Sequence, residues 1–263
     1  MNLPPPLRES LARRMDDGVG RDQVETLAEE TPVALLYNGQ PYAVMMATPA
    51  DLHDFALGFS LSEGVVASAS EVRVVDVVAG ADGISLHLAI PQQRFDVLGS
   101  RGRNLAGRTG CGLCGSESLR DAIRPVRTVQ RVELSERVLW RAFEDLLAAQ
   151  PINARTGAVH AAAVMDADDR LHVREDVGRH NAIDKAIGAA LQAGAQPRAL
   201  LVTSRASYEV VHKAAQVGIG LVAAISAPTA LAVRLADQAG LTLLGFARGN
   251  RHTRYSGFGT PPL

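Results

Sequence analysis

Both cysteines of the chain fall in one stretch, Arg108-Thr109-Gly110-Cys111-Gly112-Leu113-Cys114-Gly115. A thiolate is a nucleophile and a metal ligand, and neighbouring cations or a helix N-terminus favour it over the thiol. Arg103, Arg108 and Arg120 supply the cations, and a helix expected over 116–123 supplies the helix start. Glycines on both sides keep the thiols accessible and the backbone mobile. Three kinds of chemistry use such a C-x-x-C pair. A structural zinc site needs four ligands, so histidines such as His160 and His180 would have to be recruited from afar. A thioredoxin-like redox pair opens the first helix of its sheet, whereas this pair lies in a Gly- and Arg-rich linker between two units. A sulfur or acyl carrier needs a nucleophilic thiolate on a mobile arm, and the pattern suits that use.

Other residues point to an anionic ligand. The stretch Thr156-Gly157-Ala158-Val159-His160-Ala161-Ala162 is followed by Arg174-Glu175-Asp176-Val177-Gly178-Arg179-His180-Asn181. The second stretch could be a solvated turn with a capped helix. However, Arg179, His180 and Asn181 fill the helix's first turn, where acidic residues would suit the dipole better, and a basic helix start makes an anion site. Taken alone, His160 in an apolar strand reads as a core histidine. Polar groups close three successive strands at 22-residue spacing: Ser204-Arg205, Ser226 and Arg248. Either serine alone would read as a helix cap, but the series marks a ligand edge beyond the carboxyl ends of the strands. It ends in Gly245-Phe246-Ala247-Arg248-Gly249-Asn250-Arg251-His252-Thr253-Arg254-Tyr255. Its arginines suit phosphate, and Phe246 or Tyr255 could stack on a planar ring.

The elements that must position these residues can be read from patterning. Residues 1–20 carry prolines, charges and glycines without periodicity and read as a flexible tail. Strands over 33–37 and 42–47 flank Asn38-Gly39, a hairpin signal. A helix over 52–63 and a strand pair over 72–78 and 84–90 complete a small α+β unit over 21–98. The Gly/Arg-rich segment with the cysteines spans 99–117. Ser135 caps a helix over 136–149. Strands then alternate with helices through 118–263: strands 159–165 and 171–174, helix 181–193, strand 199–203, helix 208–217, strand 221–225, helix 228–239 and strand 242–246. That alternation means β-α-β crossovers and an α/β domain with parallel strands.

Composition sets the outer bounds. The chain has 263 residues, 27 basic against 28 acidic, and a formal net charge of −1. A near-neutral balance argues against nucleic acid as a partner. No run approaches the length of a membrane span, and Met1-Asn2-Leu3-Pro4-Pro5-Pro6 has no signal-peptide pattern, so a cytoplasmic protein is expected. Lys185 and Lys213 are the two lysines, and every other basic residue is arginine. That bias is read as a genomic preference.

Taken together, these motifs resemble the FdhD family, the formate dehydrogenase accessory sulfurtransferases, over nearly the full length. The resemblance rests on Thr109 to Gly115, Gly157 to Ala163, Arg174 to Asp184, Ser204 to Glu209, Ile225 to Ala230 and Gly245 to Arg251. It implies a three-layer α/β C-terminal domain of cytidine deaminase-like fold and a homodimer. It implies a sulfurtransferase that takes sulfane sulfur from a cysteine desulfurase as a persulfide. The acceptor is the bis-molybdopterin guanine dinucleotide form of the molybdenum cofactor, which then enters formate dehydrogenase. Cys111 would hold the persulfide and Cys114 would assist. Phe246, Ala247, Arg248, Gly249, Asn250 and Arg251 would match the family's cofactor-binding stretch. His160, Arg179, Ser204 and Ser226 are expected on the same edge. A zinc deaminase is the alternative that the fold raises. Deaminases carry a general acid/base glutamate in His-x-Glu, and His160 is followed by Ala161-Ala162, so neither zinc nor deamination is expected. A non-enzymatic alternative is a chaperone that hands over the cofactor without moving sulfur.

Overall fold

The computed structural model describes residues 2–101 and 125–258; Cys111, Cys114 and the helix expected over 116–123 lie outside the described residues. The segment expected as a loose tail is instead ordered. β1 (Leu7–Asp16) and β2 (Val19–Ala28) form an antiparallel hairpin, so the expected boundary at residue 20 falls inside a strand. The cause is local: Asp17 and Gly18 both take positive φ and make the two-residue turn that suits the twist of a hairpin.

The N-terminal lobe follows the expected pattern. β3 (Thr31–Tyr37), β4 (Gln40–Ala47), β5 (Arg73–Gly80) and β6 (Gly83–Ala89) form a sheet of order β4-β3-β6-β5. Val33, Leu35, Tyr37, Leu86 and Leu88 share one core with Phe55 and Phe59 of α1 (Leu52–Ser62). α2 (Gln92–Arg101) runs three residues past the expected end of this lobe at 98, because Leu98, with the partly buried Phe95, ties it to that core.

The C-terminal lobe is a three-layer α/β unit. After α3 (Glu136–Ala148), capped by Ser135, and α4 (Pro151–Thr156) come β7 (His160–Asp166), β8 (Leu171–Asp176), α5 (Arg179–Gln192), β9 (Pro197–Val202), α6 (Tyr208–Gln216), β10 (Leu221–Ala224), α7 (Ala230–Ala239), β11 (Thr242–Arg248) and β12 (Arg251–Arg254). The six-stranded sheet has order β12-β11-β10-β9-β7-β8, with β9, β10 and β11 parallel and the others antiparallel to their neighbours. Alternate residues of each strand serve opposite faces. Val164, Leu200, Val222 and Leu243 pack with α5, α6 and α7. Ala163, Leu201, Ala223 and Leu244 pack with Leu139, Phe143 and Leu146 of α3.

Two features join the lobes. α1 and α5 cross with their backbones in contact, because a Cβ on Gly58 would lie 1.7 Å from the Asp184 carbonyl oxygen and one on Gly188 would lie 1.9 Å from that of Asp54. Both lysines sit in this interface as buried ion pairs, Lys185 with Asp176 and Lys213 with Asp184 and Glu63. Burial alone would push the Lys213 ammonium down, but the carboxylates of Asp184 and Glu63 outweigh it and hold its pKa above the ordinary lysine value. The arginine bias therefore stops where a compact ammonium is enclosed on all sides. Residues 125–134 run along the edge where the parallel strands begin, since Val129 N–H donates to Ala239 O and Val132 N–H to Gly220 O.

Candidate functional site

Parallel β9, β10 and β11 all end on the opposite edge. β7 is antiparallel to β9, so its first residue, His160, lies on that edge too. A pair of bonds fixes the register: Thr203 N–H donates to Ala161 O at 3.0 Å, and Ala161 N–H donates to Thr203 Oγ1 at 2.9 Å. α5 starts on the same edge at Gly178, which caps it without a side-chain bond and with no acidic residue in the first turn. Burial, reinforced by Arg179, His180 and Arg205, holds the His160 imidazole below its ordinary pKa, so it is neutral at pH 7.

The two β-α loops show what the serines do. The N-cap of α6 is Ser207 and that of α7 is Thr229, whose side chain accepts from Ala232 N–H. Neither Ser204 nor Ser226 is therefore a cap. Ser204 is buried at the end of β9. The Ser226 carbonyl accepts Phe246 N–H at 3.1 Å and ties the end of β10 to β11.

The basic segment is a hairpin rather than a loop. Gly249 and Asn250 take positive φ and form its turn, with Arg248 paired across from Arg251. Both arginines are exposed. A bulge follows Gly245, where a Cβ would lie 2.7 Å from Pro228 Cδ and 2.9 Å from the Tyr255 ring. Phe246 absorbs the bulge at φ 52, a strained backbone for a bulky residue, and leaves its ring 40% exposed. Ala247 is buried in the core on the α3 side. Arg254 serves the fold: its guanidinium pairs with Glu133 and donates to the Ser256 and Gly257 carbonyls.

The fold thus brings His160, Arg179, Ser204, Ser226, Phe246, Arg248, Gly249, Asn250 and Arg251 to one edge, spread over five neighbouring strands and so over about 19 Å. Cys111 and Cys114 lie outside the described residues. Among the described residues no three His, Cys, Asp or Glu side chains converge as metal ligands.

The charged junction before α5 divides in two. Arg174 bonds Asp54, and Glu175 accepts the N–H groups of Ile152 and Asn153 at the start of α4. Asp176 is a buried acceptor for Thr48, Gly178 and Asn181. These side chains are committed to structure. One partner was not read from the sequence. Glu209 on α6 lies 2.8 Å from His180 Nε2, both side chains being largely buried. A glutamate in the first turn of a helix is ordinary, so nothing in the sequence marked that pairing.

Residues 28–260 match the model of the FdhD/NarQ family. The chain belongs to the FdhD/NarQ family. It is 53% identical over 248 residues to the sulfur carrier protein FdhD of Xanthomonas euvesicatoria pv. vesicatoria, covering 93% of this chain and 88% of the relative. It is also 53% identical over 238 residues to the sulfur carrier protein FdhD of Cupriavidus necator, covering 88% and 82%. The fold is shared with the crystal structure of a proposed formate dehydrogenase accessory protein from Desulfotalea psychrophila, at a TM-score of 0.76 and 23% identity over 96% of this chain and 97% of the other. Among the described residues no helix is long and apolar enough to cross a membrane.

Proposed function

We propose that this chain is a sulfur carrier in formate dehydrogenase maturation, acting in the cytoplasm as a homodimer and sulfurtransferase. The thiolate of Cys111 attacks the outer sulfur of a cysteine desulfurase's persulfide. The S–S bond in the desulfurase breaks, its cysteine leaves as thiolate, and a new S–S bond forms on Cys111. The Cys114 thiolate then attacks Cys111 Sγ: the persulfide S–S bond breaks, the outer sulfur leaves as hydrosulfide for the bis-molybdopterin guanine dinucleotide cofactor, and the Cys111–Cys114 disulfide that remains is reopened by a dithiol reductant; formate dehydrogenase receives the sulfurated cargo.

One observation carries the reading of the cargo site. The edge combines two exposed guanidinium groups, Arg248 and Arg251, with an exposed aromatic ring, Phe246, held in a strained bulge. Guanidinium groups bind phosphate in bidentate fashion, and a ring presents a stacking face for a base. Arg179 and the neutral His160 extend the edge towards β7. Zinc has no part in this chemistry, and stoichiometric zinc in protein purified without added metal would contradict that.

Two variants test the assignment. Arg248→Ala with Arg251→Ala should weaken guanosine diphosphate binding at least a hundredfold by calorimetry, on the scale of two charge-assisted contacts, roughly 1.5–3 kcal/mol each. Persulfide loading on Cys111 should be intact in that variant. Unchanged affinity would remove the hairpin from the site. Cys111→Ala should abolish support of formate dehydrogenase activity, whereas a chaperone that moves no sulfur would retain it.

A further inference from the structure

The start of α5 is fixed from the other lobe. Thr48, fully buried just after β4, makes three bonds to the β8–α5 junction. Its N–H donates to Asp176 at 3.0 Å, its Oγ1 accepts Val177 N–H at 3.1 Å, and its carbonyl accepts Lys185 Nζ at 2.8 Å. Lys185 Nζ also lies 2.6 Å from Asp176, and Asn181 Nδ2 donates to the Met46 carbonyl at 2.7 Å. Residues 176–181 are thus stitched to the N-terminal lobe on both sides of Arg179 and His180. Two other clamps cross the same interface elsewhere: Asp54 with Arg174 and Gln192, and Lys213 with Ser62, Glu63 and Asp184.

The junction needs outside support. Gly178 gives α5 no side-chain cap, and its backbone is the most permissive of any residue. The α5 start therefore relies on Asp176, which accepts Gly178 N–H and Asn181 Nδ2 and is itself held by Thr48 N–H. A side chain that must meet a ligand within a few tenths of an ångström depends on the shell behind it. Here that shell is Thr48, with Asp176 and Lys185 behind it.

We propose that Thr48 is a positioning residue for the ligand edge: through Val177 and Asp176 it sets where Arg179 meets the anion. This rests on the reading that the α5 start belongs to the cargo site. In consequence, the N-terminal lobe is a working part of a site whose ligand-facing residues, among the described residues, lie in the C-terminal lobe.

The experiment compares guanosine diphosphate affinity by calorimetry with urea stability in five variants. Thr48→Val keeps the branched shape and removes the hydroxyl acceptor; Thr48→Ala also removes the acceptor, should the valine variant not fold. Thr48→Ser keeps the hydroxyl. Asp54→Asn weakens a clamp remote from the edge. Arg179→Ala tests the site itself. The expected result is an affinity loss of about tenfold for Thr48→Val, the upper end for one buried hydrogen bond. Thr48→Ser should lie within about twofold of wild type on the same basis. Asp54→Asn should lose stability with affinity unchanged. If Arg179→Ala weakens binding while Thr48→Val and Thr48→Ala bind like wild type, the positioning role is wrong and the site reading stands. If Arg179→Ala itself changes nothing, the site reading falls and the proposal with it.

Discussion

Neutral His160 is half-buried beside the Arg179 and Arg205 guanidinium groups, and that arrangement has a measurable consequence. An unfolded histidine takes up its proton near pH 6.5, whereas burial and then Arg179, His180 and Arg205 delay protonation in the folded protein to lower pH. Between those two values the unfolded chain binds more protons, so stability falls as pH drops through about 6.5 and levels off once the folded imidazole is also charged. Urea unfolding at pH 7.5 and 5.5 should show a larger acid loss for wild type than for His160→Gln. Equal losses would assign the effect to other groups. Single residues were also where reading from sequence had its limits. Arg248, Arg251 and Arg254 look alike in the chain, yet Arg254 is committed to Glu133 and the C-terminal turn while the other two are exposed. Proximity along the chain says nothing of that division, because the partner, Glu133, precedes α3.

Elements buried on both faces were the most legible. β7, β9, β10 and β11 are runs of apolar residues bounded by polar ends, since helices cover both sides of their sheet. The β1–β2 hairpin has no such signature. Neither of its faces is buried, so selection for alternation is absent and only Asp17-Gly18 marks the turn. α4 was missed for a related reason: six residues are too few for periodicity, and its N-terminus is satisfied by Glu175, which arrives from β8. The crossing of α1 and α5 gives a direct test of how the lobes are joined. Gly58→Ala would drive a methyl into the Asp184 carbonyl and force the helices apart. A loss of about 3 kcal/mol in urea unfolding is expected, the upper end for overpacking. A loss below about 0.5 kcal/mol, the range of neutral surface changes, would mean that the helices separate freely.

For the whole molecule, the parallel strands place the candidate ligand edge on one side of the sheet, while residues 125–134 line the other. The hairpin arm exposes Leu11, Met15 and Val24, and an isolated two-stranded hairpin is marginal in water. The expectation for the proposed homodimer is that the second copy covers the arm. Light scattering should then give twice the 27.8 kDa chain mass, and Leu11→Asp with Val24→Asp should return the monomer. A wild-type monomer at micromolar concentration would contradict this. The central claim is persulfide chemistry on Cys111, and intact mass spectrometry tests it most directly. After incubation with a cysteine desulfurase and cysteine, wild type should gain about 32 Da, one sulfur atom, and Cys111→Ala should not. Absence of the adduct from wild type and from Cys114→Ala alike would contradict the sulfur-carrier account and leave a cofactor chaperone in its place.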